Sequence, residues 1–288
     1  MMTLPKATAL ILALSALAAC GGGGGGGGGN TNPTPDYIEF ANASRAVDSA
    51  LEGRILIVGA TDAEIRAMSG TLRHSTRALT NLTDGGANAL TDPGPDANGT
   101  WTDGTITFEP LTNQSGNFNF AKYYRLIAPT DSGVVIIGVS MDAIDVPTLN
   151  TTPGGVTYTG TAFVDGSTDP GGAAQLLSST GNSTVLVNFV DDSVDLTIDG
   201  VSGVPYTAIL INGMEFGAGD RSAFSGGTLT IMNGGTDVTN VLLGTGVTST
   251  AAGDFFGVDS NANPDEVGGL FAAFGDGTGE IFGGFIAD

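Results

Sequence analysis

The side chains able to carry chemistry in this 288-residue chain are few: one cysteine, Cys20, one histidine, His74, and thirty carboxylates. A Ser-His-acid triad would need His74 at its centre. No Gly-x-Ser-x-Gly turn is present to lift a serine nucleophile out of a strand. Within Leu72-Arg73-His74-Ser75-Thr76 the imidazole reads as an ordinary strand residue. A single cysteine excludes a disulfide framework and a four-cysteine zinc site, and a single histidine excludes most His-clustered metal sites. Oxygen-bearing residues alternate through Asp259-Ser260-Asn261-Ala262-Asn263-Pro264-Asp265-Glu266, a pattern shared with calcium loops. Pro264 stands where such a loop needs its turn glycine, and Leu270 where it needs a bidentate glutamate, so a polar turn is expected instead. Asp191-Asp192 reads as a solvated hairpin tip, and residues 165–172 (DGSTDPGG) as a loop. A glycosidase-type carboxylate pair depends on a carboxyl separation that linear spacing does not fix. No catalytic residue, metal ligand or cofactor is therefore expected. Trp101, Tyr123 and Tyr124 are expected to pack in the N-terminal part, with exposed interface anchors as the alternative.

Cys20 has a context of its own. Residues 1–20 read MMTLPKATALILALSALAAC, with Lys6 followed by an apolar stretch over 7–19. Thirteen residues are too few to span a bilayer, and they suit the apolar core of a secretory signal. The stretch ends in Leu17-Ala18-Ala19-Cys20, which resembles a bacterial lipobox. The resemblance implies removal of residues 1–19 and acylation of Cys20. The alternative is an ordinary signal peptide. Gly21 and Gly22 follow without an Asp, which by the same resemblance implies outer-membrane lipid as the destination. Several acyl chains on one residue, at about 0.8 kcal/mol per buried methylene, meet the requirement for stable anchoring.

Residues 21–29 are nine consecutive glycines, followed by Asn30-Thr31-Asn32-Pro33-Thr34-Pro35. Ordering glycine costs more backbone entropy than ordering any other residue, so residues 20–36 are expected to form a lipidated Cys and a flexible tether. Its root-mean-square reach would be roughly 20–24 Å, and about 55 Å when fully extended.

The remainder contains enough apolar residues to bury a core. The chain is 41% hydrophobic and 14% charged, with 47 glycines and a net charge of −21. An acidic balance of this size excludes nucleic acid as a partner and, through self-repulsion, favours a monomer. The charge is uneven: residues 126–288 hold Arg221 as their sole base against nineteen acids. That asymmetry suggests an N-terminal β-rich subdomain over 37–152 and a different C-terminal domain over 153–288.

The local signals are mostly β. Ile55-Leu56-Ile57-Val58, residues 105–108, 123–127 and 134–139 read as strands in the first part. Residues 62–68 suggest a short helical turn, with Thr61 as cap and Glu64 three residues on. In the second part residues 156–163, 184–190, 194–198, 208–211, 228–232 and 238–243 read as strands. Val194, Leu196 and Ile198 alternate with Asp195, Thr197 and Asp199, giving one apolar and one charged face. Turn signals every 8–15 residues indicate an antiparallel sandwich or barrel.

The tail adds a longer-range likeness. Residues 254–275 read DFFGVDSNANPDEVGGLFAAFG and 279–288 read GEIFGGFIAD. Phe255, Phe256, Gly257, Asn263, Glu266, Val267, Gly268, Gly269, Phe271, Phe282 and Gly283 together resemble the last strands of the lipidated β-barrel domain of transferrin-binding protein B and factor H-binding protein. Residues 153–162 resemble the first barrel strand of that family, and the hairpin 184–199 its next pair. The resemblance implies an all-β protein with an eight-stranded antiparallel barrel preceded by a smaller β-rich subdomain. It also implies a non-enzymatic surface lipoprotein that captures a protein or metal-bearing ligand and reaches the surface through a translocon. No residue matches the receptors' transferrin- or complement-binding surfaces, so their partners are not carried over. A structural or periplasm-facing envelope lipoprotein is the second reading, and a hydrolase the third.

Overall fold

The computed structural model describes residues 49–58, 63–73, 78–83, 89–90, 101–103, 106–110, 121–127, 132–139, 155–168, 175–217, 220–258, 264–276 and 279–288. Leu17, Ala18, Ala19, Cys20, the tether, His74, residues 259–263 and the Trp101 side chain lie outside the described residues.

The first sheet comprises β1 (Ser49–Val58), β2 (Ala63–Arg73), β3 (Ala78–Thr83), β4 (Ala89–Leu90), β5 (Trp101–Asp103), β6 (Ile106–Pro110), β7 (Ala121–Ile127) and β8 (Ser132–Val139). Their spatial order is β4-β3-β2-β1-β8-β7-β6-β5, with every pairing antiparallel. On β8, Val134, Val135, Ile136 and Ile137 are all buried. A strand covered on both faces needs apolar side chains at every position, which explains the unbroken run.

The second sheet holds β9 (Val156–Thr168), β10 (Gln175–Asn188), β11 (Ser193–Asp199), β12 (Ala208–Gly217), β13 (Asp220–Asn233), the short β14 (Thr236–Asp237), β15 (Thr248–Val258), β16 (Pro264–Phe274) and β17 (Glu280–Ala287), with α1 (Thr239–Leu243) between β14 and β15. Eight of these strands pair in the circular order β9-β10-β11-β12-β13-β15-β16-β17, and β17 returns to β9. This is the closed antiparallel barrel anticipated above. Eight strands enclose a space that side chains can fill. Here Val187, Leu196, Ile211, Ile231, Phe271 and Phe285 fill it.

The barrel wall is not uniform. On β16 every position from Glu266 to Ala273 is buried, and on β17 every position is buried. Their outward side chains, including Leu270, Phe282 and Ile286, pack with Phe256 of β15 against Leu56, Tyr123 and Ile136 of the first sheet. On the opposite wall, β11 alternates between buried and partly exposed positions, as an ordinary solvated strand does.

Helix α1 covers one end of the barrel. Leu242 and Leu243 enter the core while Val241 faces solvent. A Cβ on Gly275 would collide with the Leu243 carbonyl, and one on Gly279 with the Leu243 Cα. Gly279→Ala should therefore lower stability by about 1–3 kcal/mol, read as a drop in the urea midpoint at unchanged slope. An unchanged midpoint would show that the cap can shift aside.

Three local expectations are corrected. Residues 62–68 are not a helical turn, because β2 runs through Ala63–Arg73. The ladder to β1, from Val58↔Ala63 to Ser49↔Leu72, satisfies more backbone groups than one capped turn could. Residues 238–243 are not a strand. Val238 leads into α1, since a helical turn drops consecutive Leu242 and Leu243 together onto the barrel end. The stretch 165–172 is not all loop. Asp165, Gly166, Ser167 and Thr168 complete β9, paired on one side with β10 and, as far as Ser167, on the other with β17. The hairpin tip at Asp191-Asp192 stands as expected, with Asp192 in a left-handed conformation at φ 54°.

Candidate functional site

The tail residues singled out in the sequence come together at the wall shared by the barrel and the first sheet. On β15 they split between faces. Phe255 points into the barrel, where its ring lies 5.3 Å from Phe224, 5.8 Å from Phe216 and 6.0 Å from Phe189. Phe256 points outward into the cluster with Leu56 and Ile136. Gly257 follows at φ 63°, a left-handed value that suits glycine. On β16, Val267 and Phe271 join the barrel core. Glu266 faces the first sheet and accepts a hydrogen bond from the Ala121 backbone N–H at 2.9 Å, with the carboxylate buried. Gly268 leaves room for the Ile136 side chain and Gly269 for the backbone of β15. Phe282 packs on the outer face, while Gly283 admits the Phe163 carbonyl and the Phe271 ring. The motif therefore builds the joint between two sheets.

Two residues absent from the sequence reading complete that joint. The Arg54 guanidinium of β1 grips the Asp254 carboxylate of β15 through contacts of 2.7, 2.9 and 3.1 Å. Asp254 is 7% exposed and Arg54 19% at the side chain. A charge inside the otherwise apolar Asp254-Phe255-Phe256 segment was the available signal, because a buried carboxylate requires a cation or several donors. Its partner lies 200 residues away, and linear spacing does not identify such a pair.

Two buried tyrosines have shifted phenols. Tyr206 packs into the core, and burial, reinforced by the Asp165 carboxylate, holds its phenol well above the ordinary value. It stays neutral across the physiological range and cannot serve as an anionic nucleophile. Tyr123, raised by burial, is likewise neutral. Tyr123 and Tyr124 are both buried, in accord with packing and against the exposed-anchor alternative. Asp237, on the surface beside α1, accepts the Thr239 backbone N–H at 2.9 Å. That bond, with help from the Thr239 hydroxyl, lowers its pKa. A carboxyl lowered in the folded state stabilises above its unfolded pKa and loses that contribution as pH falls through the folded one. Carboxyl titration by NMR should place Asp237 below an ordinary aspartate, and Thr239→Ala, which removes the hydroxyl but keeps the backbone donor, should return it only part of the way. A midpoint at the ordinary value would show that the Asp237–Thr239 bond does not form.

Among the described residues no group of three or more His, Cys, Asp or Glu side chains is placed to hold a metal ion, and no helix is long and apolar enough to cross a membrane. What faces solvent is the wall formed by β10 to β13. It carries Asp195, Asp199 and Glu215 on its strands, and among the described residues three of the four exposed large apolar side chains lie on or just after β10: Leu176, Leu186 and Val190.

The architecture is similar to that of transferrin-binding protein B. The solved chain from Haemophilus parasuis shares 14% identity at a TM-score of 0.49, covering 83% of this chain and 44% of its own. The isotype 1 protein from serogroup B Neisseria meningitidis shares 16% identity at 0.43, covering 85% of this chain and 42% of its own. The haemoglobin receptor HpuA from Kingella denitrificans shares 14% identity at 0.37, covering 84% and 86%. The chain thus spans less than half the length of those transferrin-binding chains. No protein-family model matches the chain, and no curated protein matches it.

Proposed function

We propose that this chain is a non-enzymatic binding module, anchored in outer-membrane lipid by acylated Cys20 and displayed at the cell surface on its glycine tether. The observation that carries this reading is the filled barrel. Side chains occupy the interior and α1 covers one end, so recognition is left to the exterior. The described residues hold no metal cluster, and the tail motif is committed to packing. A protein or metal-bearing ligand on the outer wall is the function that remains. Export across the outer membrane would require a surface-lipoprotein translocon. A structural or periplasm-facing lipoprotein is the competing reading.

Mild proteolysis of intact cells separates the two. Cleavage of the tether by an added protease, with a periplasmic marker left intact, supports display. Complete protection, lost only when the outer membrane is permeabilised, overturns it. Labelling with a radioactive fatty acid should be abolished by Cys20→Ser; retained label would remove the anchor from the proposal.

A further inference from the structure

The chain contains three Asn-Gly pairs: Asn98-Gly99, Asn212-Gly213 and Asn233-Gly234. The first lies outside the described residues. Such a pair can react with itself. The glycine nitrogen gives up its proton and attacks the asparagine Cγ. The new N–C bond closes a succinimide, and Nδ2 leaves as ammonia. Water then opens the ring at either carbonyl. The product is aspartate or, with one extra main-chain carbon, isoaspartate. Glycine favours the reaction because no Cβ shields its nitrogen. The rate is then set by the freedom of the asparagine side chain, the freedom of the backbone, and the hydrogen bond made by the glycine N–H.

The first condition is met by both described pairs. Asn212 and Asn233 are exposed, and among the described residues no hydrogen bond holds either side-chain amide. Asn182 and Asn188, by contrast, donate to Asp199 and Asp191. The other two conditions separate the pairs. Gly213, at φ 72°, lies within β12 between Asn212 and Met214, both of which pair with β13. Its N–H donates to the Asp195 carboxylate of β11 at 2.7 Å. A charged acceptor makes the stronger bond, and its negative charge also opposes loss of the amide proton. Asn233-Gly234 belongs instead to the β13–β14 turn. Gly234 and Gly235, at φ 57° and 86°, link Asn233 to its partner Thr236. The Gly234 N–H donates to the Thr207 hydroxyl at 3.1 Å, a neutral and exposed acceptor.

We infer that Asn233 is a site of spontaneous deamidation and that Asp195 holds Asn212 inert. The site adjoins the cap of the barrel. Met232 pairs with Asp237, Ile231 bonds to Val238 and Thr239, and α1 follows at once. An isoaspartyl link at 233 lengthens the turn by one carbon and adds a carboxylate, so it disturbs the rungs that lead into α1. The inference goes beyond the binding-module reading and does not rest on it.

The test ages the full-length protein in mildly alkaline buffer. Conversion is mapped by mass spectrometry with electron-transfer fragmentation, which tells isoaspartate from aspartate. Asn233 should convert about tenfold faster than Asn212. Asp195→Ala frees the Gly213 N–H and should speed Asn212 by about tenfold, whereas Thr207→Val, which removes a neutral acceptor, should speed Asn233 by about threefold. Asp195→Asn keeps an acceptor without its charge and should give an intermediate rate at Asn212. In urea the two pairs should convert at similar rates, because the protection is structural. Converted protein, separated by ion exchange, should show faster amide exchange at Ile231 and Leu242, whose N–H groups bond to Thr239 and Val238. Four results overturn the inference: equal conversion of Asn212 and Asn233 in the folded chain; the same ratio in urea, which would assign the difference to neighbouring residues; no acceleration of Asn212 by Asp195→Ala; or unchanged exchange at Ile231 and Leu242, which would disconnect the site from the cap.

Discussion

Arg54→Met should destabilise the fold by about 3 kcal/mol, near the lower end of the range for removing one partner of a buried ion pair. Asp254 is the reason. At 7% side-chain exposure it retains little water, and Met offers its carboxylate no donor in place of the three close contacts with Arg54. The cost sits at the low end because Arg54, at 19% exposure, was itself partly solvated. The double variant Arg54→Met with Asp254→Leu should recover most of the loss, since it removes the stranded charge and adds apolar contact at the same wall. Urea denaturation of the two single variants and the double one closes the cycle. Additive losses would show that the two residues act independently and that the pair does not join the sheets. The loss should fall first on the first sheet, because β1 is held to the barrel at this point. Hydrogen exchange should show Leu56 and Ile136 losing protection before Leu196 and Ile211.

Phe255→Ala should cost about 3–5 kcal/mol, the usual loss for a large aromatic removed from a core. Phe255 is 1% exposed and meets three other rings. Phe189 and Phe216 stack at 5.7 Å with an interplanar angle of 11°, and Phe224 leads on to Phe285 at 6.5 Å. These rings come from β12, β13, β15 and β17 and from the end of β10, so they tie most of the barrel circumference at one level. Removing the central one leaves a cavity that closed strands cannot collapse to fill. Phe216→Ala, at a half-buried position, should cost clearly less. A loss below about 1 kcal/mol for Phe255→Ala would mean that neighbouring rings rotate into the space. The two variants differ in kind: Arg54→Met loosens the joint, whereas Phe255→Ala loosens the barrel.

Much of the barrel is legible in the chain because its signals are local. Val194, Leu196 and Ile198 alternate with polar neighbours, and a strand has a side-chain period of two, so one face had to be inward. Asp191-Asp192 marks its own turn. The tail was harder to read by periodicity. Leu270, Phe271, Ala272 and Ala273 are all buried and alternate between the barrel core and the first sheet. A strand with two apolar environments shows no alternation. Its resemblance to a barrel family named the element where periodicity could not.

Elsewhere local signals misled. Thr61 and Glu64 offered a cap for a turn worth roughly 1 kcal/mol, while β1 offered a ladder of ten paired residues. Residues 238–243 have strand-like composition, but the α1 position at the barrel end demands two consecutive buried leucines, which a strand would send to opposite sides. From sequence alone come the all-β class, the hairpins, the scarcity of catalytic groups and the expectation of an anchored, tethered body, because each is written in neighbouring residues. Only the tertiary structure decided that Asp254 meets Arg54, that Glu266 holds the Ala121 backbone, and that the β13–β15 seam stops after three rungs. Those contacts join positions from 27 to 200 residues apart, and their formation depends on barrel closure, which no window of sequence contains.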